Sequence, residues 1–329
     1  MRLHLRWRPF RFALPQTLVT AHGALRERRG WLLRLERGDG ALGWGEAAPL
    51  EPPAAPPDAR PDANARVVSP EAAGLTAGAW QRPALEARLP SLPPPFAFAL
   101  GLALAELDGL GSAAAGGWRP PPASALLLPA GEAGPAALRA ALDAGPPPPA
   151  VKWKVAALDD GTERQALAAL LALLPAGCRL RLDANGGWDR PTAFAWAERL
   201  AGETGLEWLE QPLAPADQAG LRALAERLPV ALDESLRSPA GPPAGWDGWQ
   251  VRRPALEGDP RPLLAALAAG APRLMVSTAL ETGIGWRLVA HAAALQQGGP
   301  TPTAPGLAPG WRPRGGLFAA DPAVVWEAA

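Results

Sequence analysis

The later part of the chain alternates between short apolar strand patterns and Ala- and Leu-rich helical patterns, and this alternation constrains the fold more than any other feature. Strands are predicted at 125–129, 150–156, 179–184, 206–210, 230–233, 249–253 and 273–278. The helices predicted between them include 163–174, 191–200, 217–228 and 261–269. Strands that alternate with helices form parallel sheets, and this series, followed by a cramped eighth unit near residue 300, predicts an α/β fold of the β/α-barrel type.

The earlier part of the chain has a different pattern and predicts a second, smaller domain. Residues 1–50 alternate partly between apolar and polar side chains, which indicates an antiparallel sheet with a turn at 38–40. Residues 51–95 are rich in Pro and Ala and predict loops with short helices, and 96–110 predicts a longer helix. The predicted division is an α+β domain at 1–118, the barrel at 119–310 and a C-terminal segment at 311–329 that returns to the first domain.

Composition excludes several classes of protein. The 32 Lys and Arg residues balance 32 Asp and Glu residues, so no net charge draws the chain to nucleic acid or to an anionic membrane. No apolar run approaches the roughly 18 residues that a transmembrane helix needs, and the N-terminus lacks the apolar core of an export signal. The single Cys178 rules out an internal disulfide and fits a reducing compartment. We therefore expect a cytoplasmic protein; the oligomeric state is left open, and a monomer is compatible with the sequence.

Lysine is almost absent from the chain. Of its 32 basic residues only two are lysine, Lys152 and Lys154, and they lie two residues apart in the predicted strand 150–156. Arg keeps its proton in proteins, whereas a crowded or buried Lys can become a neutral amine and act as a base. Residues i and i+2 of a strand face the same side, so we expect each ammonium to lower the pKa of the other. The alternative is that both are solvent-facing, which fits poorly with a chain that avoids lysine elsewhere.

Three consecutive predicted strands end in an acidic residue: Asp183, Glu210 and Asp233. Barrel enzymes keep their chemistry at the C-terminal ends of the strands, and the two gaps between these acids each suit one barrel repeat. Converging carboxylates without His or Cys favour Mg²⁺, with Mn²⁺ as a compatible substitute. Zinc fits poorly because the three His residues are scattered and there is one Cys. Each acid alone could be a helix N-cap or a surface charge, but the three together beside the lysine pair predict a metal site.

Several motifs follow one another along nearly the whole chain. They are GWGEAAPL at 43–50, KWK at 152–154, LRLDAN at 180–185, WLEQP at 208–212, LDESLR at 232–237 and STALETGIG at 277–285. In this order they resemble the enolase superfamily and, within it, the o-succinylbenzoate synthase family of menaquinone and phylloquinone synthesis. The resemblance implies a β/α barrel of modified TIM type beneath an N-terminal α+β capping domain, with loops near 14–24 and 45–60 that cover the barrel mouth and exclude water.

The resemblance also implies roles for individual residues. Asp183, Glu210 and Asp233 would bind Mg²⁺, Lys154 would be the acid and base, and Lys152 would hold the substrate carboxylate. Further candidates are Asn185 and Glu234 beside the metal ligands, and Arg181, Ser277, Thr278 and Gly306 near the rest of the substrate. Alternatives stay open for these: a cap or surface role for Asn185, a structural ion pair for Arg181, and ordinary strand-end hydroxyls and a turn glycine for the other three.

One residue departs from the family pattern. The family usually has a second catalytic lysine at the end of the sixth strand, where this chain has Arg253. Racemases and epimerases need a base on each face of the substrate, and Arg253 should not serve as one. A dehydration in which the proton and the hydroxide leave from the same face needs only Lys154, while Arg253 would stabilise the enediolate as a cation. The alternative is that the change to Arg has cost activity.

The reaction implied by the resemblance is the dehydration of a cyclohexadiene carboxylate that carries a ring hydroxyl and a succinyl chain. Mg²⁺ would stabilise the enediolate that forms when Lys154 removes a proton, and loss of water would make the ring aromatic. Two other interpretations compete: another superfamily isomerase, either a cycloisomerase or a dipeptide epimerase, and a non-catalytic relative that binds a metal or a ligand. The intact lysine pair and acid triad weigh against the last of these.

Overall fold

Two β-sheets organise the chain, which the computed structural model describes over residues 1–20, 23–50 and 69–329. The first sheet is antiparallel, with β1 (Arg2–Thr20), β2 (Gly23–Arg37), β3 (Leu42–Ala47) and β4 (Gly78–Gln81) in the order β3-β2-β1-β4. The second is parallel and follows the chain order β5 (Leu126–Leu127), β6 (Ala150–Lys154), β7 (Arg179–Asp183), β8 (Leu206–Glu210), β9 (Val230–Leu232), β10 (Trp249–Arg252) and β11 (Leu274–Val276).

Helices pack against both sheets. The first sheet carries α1 (Arg82–Arg88) and α2 (Pro94–Leu107). The barrel strands alternate with α3 (Ala133–Ala144), α4 (Asp160–Leu173), α5 (Arg190–Leu200), α6 (Gln218–Ala225), α7 (Glu234–Arg237), α8 (Pro254–Glu257), α9 (Arg261–Ala268) and α10 (Gly283–Gln297), and α11 (Pro322–Glu327) comes last. Short 3₁₀ helices lie at Leu89–Ser91, Ala113–Ala115, Pro309–Trp311 and Gly316–Phe318. None of the helices in the described ranges is long and apolar enough to cross a membrane.

The parallel sheet closes into a barrel through the segment around Gly306. Gly306 N donates to Val276 O at 2.8 Å and Thr278 N donates to Gly306 O at 3.0 Å, which places this segment beside β11. On its other side Ala125 N donates to Pro305 O at 3.0 Å, next to β5. The cramped eighth unit predicted near residue 300 is confirmed as this closing segment.

The predicted barrel elements agree with the structure. Each of the seven predicted strands matches one of β5 to β11, with ends that differ by no more than two residues. The named helices, including the one predicted at 96–110, match with ends that differ by no more than three residues. The alternation of strand and helix therefore identified the barrel correctly, because each buried strand is bounded by turn residues.

β1 and β2 form one long hairpin, which the sequence did not predict. Their pairing continues as far as Thr20 opposite Gly23, after a register shift between Ala13 and Leu18. The loop that the resemblance implied near 14–24 is therefore wrong over its described residues, because both strands stay paired there in spite of the irregularity. The hairpin thus reaches further toward the barrel than the predicted sheet would.

Two other predictions for the first domain need qualification. The loop predicted near 45–60 begins inside β3, and residues 51–60 lie outside the described ranges. Within the predicted loop region 51–95, β4 pairs with β1, and its four residues are too few to show an alternating pattern.

The C-terminal segment and β3 both connect the two sheets. Val325 and Trp326 of α11 pack with Phe10, Phe12 and Trp44 of the first sheet. This contact agrees with the predicted return of residues 311–329 to the first domain, although the domain boundaries themselves remain predictions.

Candidate active site

Alternation along β6 points both lysines into the barrel. Trp153 is fully buried in the layer between the strands and the outer helices, so its neighbours Lys152 and Lys154 face the barrel interior. In the parallel register Lys154 lies beside Asp183, and Asp183 lies beside Glu210. One row across the C-terminal ends of β6, β7 and β8 therefore holds a lysine and two acids.

The two ammonium groups are bonded to these acids. Lys152 Nζ lies 2.7 Å from Asp183 Oδ2 and 2.6 Å from Glu210 Oε1. Lys154 Nζ lies 2.6 Å from the same Asp183 oxygen and donates to Asn185 Oδ1 at 2.8 Å. Both lysines are buried, at 6% and 5% exposure, so the alternative of solvent-facing lysines is wrong.

Arg253 occupies the other side of the barrel. Its Nε donates to Asp233 Oδ2 at 2.9 Å, and its Nη2 lies 3.8 Å from Glu210 Oε1. Its Nη1 donates to Thr278 O at 2.5 Å, which fixes the guanidinium against the end of β11. Arg253 follows β10, four strands from β6 in the sheet order, so it approaches the centre of the barrel from the side opposite Lys154.

Asn185 and Glu234, both predicted beside the metal ligands, contact each other. Asn185 Nδ2 donates to Glu234 Oε1 at 3.0 Å, and Asn185 N donates to Asp183 Oδ1 at 3.0 Å. Since Asn185 Oδ1 also accepts from Lys154, the side-chain amide joins the lysine to Glu234, while the backbone N of the same residue holds Asp183. A surface role for Asn185 is wrong, because the residue is buried.

Two further residues, which the sequence did not predict, support the acids. Gln211 accepts from Asp233 N at 3.1 Å and Ser235 N at 3.0 Å, and its Nε2 donates to Leu213 O at 2.9 Å, so it braces the end of β8 against the end of β9. Arg237 is ion-paired with Asp233. The spacing of four residues between opposite charges was a signal for the second of these, and the buried Gln before a proline at a strand end was a weaker signal for the first.

Burial and charge together shift the pKa values of the site. Burial raises the pKa of Asp183, but Lys152 and Lys154 lower it more, so the pKa lies below its usual range. Burial, with Asp183 nearby, raises the pKa of Glu210 to about 7, and burial, with nearby acids, raises that of Glu234 to about 7. Burial lowers the pKa of Lys152, but Asp183 and Glu210 raise it further, above its usual value. The predicted lowering of the Lys152 pKa by its neighbour is therefore wrong, because two bonded carboxylates outweigh it.

The acid set fits a hard divalent cation. Its donors are all oxygens, and within the described residues Glu210 Oε2 and Glu234 Oε2 are buried without a hydrogen-bond partner. Over the same part of the chain no three Asp, Glu, His or Cys side chains converge on one point, and Lys152 bridges Asp183 and Glu210 instead. A buried carboxylate oxygen without a partner is costly unless something binds it, and Mg²⁺ or Mn²⁺ suits such an oxygen ligand.

These groups lie at the bottom of a cavity of about 890 Å³ between the barrel mouth and the first sheet. The lysine pair, Asp233 and Arg253 line its lower end, and residues 23–29 of β2 with Pro49 and Leu50 line its upper end. The first sheet therefore covers the barrel mouth, as the sequence predicted, although much of the cover is a paired hairpin.

Three of the four predicted substrate-binding residues line this cavity: Ser277, Thr278 and Gly306. The Ser277 hydroxyl donates to Gly306 O at 3.2 Å, and the Thr278 hydroxyl donates to Glu281. A Cβ at position 306 would come within 2.9 Å of Ser277 Oγ, so a larger residue there would displace the Ser277 hydroxyl. The position of these residues permits substrate contact, and their role in binding remains a prediction.

Arg181, the fourth residue predicted to bind substrate, lies below the site. It precedes Asp183 by two residues on the same face of β7, and it is fully buried away from the cavity. Its Nε lies 2.6 Å from Glu207 Oε2, its Nη2 donates to Thr303 Oγ1 at 2.8 Å, and its guanidinium stacks 4.2 Å from the centroid of a Trp208 ring. The substrate-binding prediction for Arg181 is wrong, and the structural ion pair is the correct alternative.

Known proteins resemble this chain in sequence and in fold. A family profile described as enolase C-terminal domain-like matches residues 135–241. An o-succinylbenzoate synthase of Thermosynechococcus vestitus is 36% identical over 296 residues, which are 87% of this chain and 87% of the relative. The chain belongs to the o-succinylbenzoate synthase family of the enolase superfamily. Its family makes it an enzyme, a carbon–oxygen lyase.

Solved structures agree with this membership. The crystal structure of o-succinylbenzoate synthase from Thermosynechococcus elongatus, complexed with Mg in its active site, has a TM-score of 0.77 and 31% identity, and covers 99% of this chain and 100% of that one. The L-Ala-D/L-Glu epimerase from Bacillus subtilis has a TM-score of 0.68 at 22% identity, with 94% and 90% of the two chains covered. That second likeness shows a shared fold alone, an enolase-superfamily barrel with an antiparallel capping sheet.

Proposed function

We propose that the protein catalyses the Mg²⁺-dependent syn dehydration of 2-succinyl-6-hydroxy-2,4-cyclohexadiene-1-carboxylate to 2-succinylbenzoate, a step of menaquinone or phylloquinone biosynthesis. The observation that carries the proposal is the pair of unlike cations across the cavity. Lys154 can lose its proton and Arg253 cannot, so the site offers a base on one side only. A one-sided base suits an elimination in which both groups leave from the same face of the substrate.

Asp183, Glu210 and Asp233 would hold Mg²⁺, which when bound supplies positive charge that stabilises the substrate carboxylate as the adjacent carbon loses its proton. The buried, unpartnered Glu210 Oε2 and the Mg in the active site of the Thermosynechococcus elongatus relative support this assignment. Lys152, bonded to two of the three acids, would hold the substrate carboxylate beside them.

Lys154 would perform both proton transfers. As a neutral amine it removes the proton from the ring carbon that bears the carboxylate, and the electron pair of that C–H bond spreads into the carboxylate. The C–O bond to the ring hydroxyl then breaks on the same face, and the Lys154 ammonium returns the proton to the departing oxygen. Water leaves, the ring becomes aromatic and Lys154 is neutral again. Asn185 Oδ1, which accepts from Lys154 Nζ, would orient the amine for both transfers.

Arg253 would act as a fixed cation on the opposite face. Two of its nitrogens contact Asp233 and a third donates to Thr278 O, so the guanidinium is held in place before the substrate arrives. A positive charge that is already oriented favours the negative charge that develops on the ring carboxylate, and it needs no reorganisation during the reaction.

An isotope experiment separates this function from epimerisation. The protein with Mg²⁺ is incubated in D₂O with an N-acyl amino acid or a dipeptide, and in parallel with the cyclohexadiene carboxylate. We expect dehydration of the latter and little or no inversion of the former, because no base faces the second side of the substrate. Efficient inversion without dehydration would make the protein an epimerase and would contradict the proposal.

A further inference from the structure

The proposed substrate carries two carboxylates, and the second one lies at the end of the succinyl chain, away from the reacting carbon. A charged group that leaves water for a cavity needs a partner of opposite charge or several hydrogen-bond donors. The lower end of the cavity provides for the reacting carboxylate only. The remote carboxylate therefore needs a partner elsewhere in the cavity.

The cations at the lower end are bonded to the acids there, so they serve the metal site and the reacting carboxylate. Lys152, Lys154 and Arg253 are each bonded to acids of the site. Arg237 is paired with Asp233. The hydroxyls on this side donate to protein acceptors as well, since those of Ser277 and Thr278 bond to Gly306 O and to Glu281.

The upper end is lined by a charged run of β2, from Arg26 to Arg29. Glu27 is ion-paired with Arg11 at 2.6 Å, so its charge is neutralised from outside the cavity. Arg28 is buried and donates to Pro49 O and Ala48 O at 2.7 Å, which ties the hairpin to the segment after β3. Arg29 also has an interaction of its own.

Arg26 differs from these neighbours. It lies opposite the register shift of β1, and it lines the same cavity as Lys154 while being exposed to solvent. Among the described residues that line the cavity, Arg26 is a cation for which the structure shows no hydrogen bond and no ion pair with any other described residue. A guanidinium can bind a carboxylate through two parallel hydrogen bonds.

We propose that Arg26 binds the remote carboxylate of the substrate and so makes the enzyme specific for dicarboxylates. This inference rests on the proposed function, because it places the reacting carboxylate at the Lys154 end of the cavity. The chemistry at the two ends of the cavity defines the ligand class. The ligand has one carboxylate near the acid triad and a second carboxylate that reaches β2.

The test compares two product-like ligands that differ only at the remote carboxylate. Binding of 2-succinylbenzoate and of 2-butyrylbenzoate, in which a methyl group replaces that carboxylate, is measured by calorimetry on the Mg²⁺-loaded protein. We expect Arg26→Ala to weaken 2-succinylbenzoate about tenfold and 2-butyrylbenzoate less than about twofold, with Arg26→Lys recovering most of the loss. Added salt should weaken 2-succinylbenzoate more for the wild type than for Arg26→Ala.

Arg6→Ala serves as the matched control, because Arg6 is an exposed arginine of the same hairpin that does not line the cavity. Equal weakening of both ligands by Arg26→Ala, or an equal effect of Arg6→Ala, would overturn the proposed role of Arg26. Turnover of the cyclohexadiene substrate by the wild type is measured in the same experiment. Its absence would contradict the proposed function, whereas its presence beside equal weakening of the two ligands would remove only the role of Arg26.

Discussion

Two cations face each other across the cavity, and they differ in one chemical property. Lys154 can release a proton and take it back, while Arg253 stays charged throughout. Both contact the acid triad, Lys154 through Asp183 and Arg253 through Asp233, so each is placed by the residues expected to hold the metal. Substitutions that exchange the two residue types therefore separate proton transfer from electrostatic stabilisation.

Lys154→Arg should abolish dehydration while the fold and metal binding are kept. The charge beside Asp183 survives, but the removable proton is lost, and we expect turnover to fall by about 10³-fold or more. Lys152→Arg is the matched comparison and should lose less turnover, since the expected role of Lys152 is to hold a carboxylate. Steady-state turnover and a Mg²⁺ titration check this. Near-native turnover of Lys154→Arg would show that the base lies elsewhere.

Arg253→Lys should retain dehydration within about tenfold, whereas Arg253→Ala should lose about 10²-fold to 10³-fold. The reason is that only a positive charge is needed on that face. Turnover of the two variants is compared under identical conditions, with circular dichroism as the control for folding, because Arg253 also pairs with the buried Asp233. A loss as large for Lys as for Ala would mean that the guanidinium geometry, rather than its charge, is required.

The alternation of side chains along a strand predicted which side of the strand a residue faces. It did not predict how far the residue lies from the barrel mouth. Asp183 and Arg181 share a face of β7, yet one lies at the strand end and the other two residues lower, about 7 Å further from the mouth. That difference separates a cavity residue from a structural ion pair. The sequence also could not show that Lys152 would be bonded to two carboxylates, which reverses the expected direction of its pKa shift.

At the scale of elements, the ends of the barrel strands could be predicted, but the β1–β2 hairpin that covers the barrel mouth could not. Most barrel strands are short buried runs bounded by turn residues, so each strand end, and with it the acid at or just after that end, could be read from the sequence. The long β1–β2 hairpin was missed because its register shift breaks the alternating pattern midway. Arg26, which lies opposite that shift, was assigned no role from the sequence.

A buried carboxylate joins β3 to the barrel. Glu46 accepts hydrogen bonds from Thr282 N, Thr282 Oγ1 and Gly285 N at the first turn of α10, and it is 1% exposed. Burial, with Glu281 nearby, raises the pKa of Glu46 to about 7, although the bonds from Thr282 and Gly285 oppose the shift. The contact between the two domains is thereby linked to pH.

The sign of this linkage gives a prediction for stability. Between pH 4.5, the ordinary pKa of the group, and about 7, the folded protein keeps the Glu46 proton while the unfolded chain has released it. The contribution of Glu46 to the free energy of unfolding is therefore present below that window and falls as pH rises through it. Glu46→Gln removes this titration, so the stability of the wild type relative to the variant should fall by roughly 2 kcal/mol from pH 5 to pH 7.

Denaturant unfolding at several pH values measures this difference. Glu71→Gln is the matched control, because Glu71 is exposed and its substitution should leave the pH dependence unchanged. Parallel curves for the wild type and Glu46→Gln would contradict the assignment of a shifted pKa to Glu46.

At the scale of the whole molecule, the two sheets form different parts of the cavity. The barrel supplies the acids, the lysines and Arg253 at its C-terminal mouth, as barrel enzymes do. The first sheet supplies the upper end of the cavity, and exclusion of water by it would strengthen each electrostatic contact inside. The sequence motifs identified the residues at the lower end of the cavity, because the chemistry there needs particular residue types. A sheet that covers the barrel mouth can be formed by many different sequences.

The most direct measurement is turnover of 2-succinyl-6-hydroxy-2,4-cyclohexadiene-1-carboxylate by the purified protein, followed through the absorbance of the aromatic product. With Mg²⁺ we expect dehydration, with EDTA its disappearance, and with added Mg²⁺ its recovery. Asp183→Asn, Glu210→Gln and Asp233→Asn should each lower turnover by several powers of ten, because each removes a charged oxygen ligand. Full activity of the chelated, metal-free protein, or no aromatic product with Mg²⁺ present, would contradict a metal-dependent dehydratase.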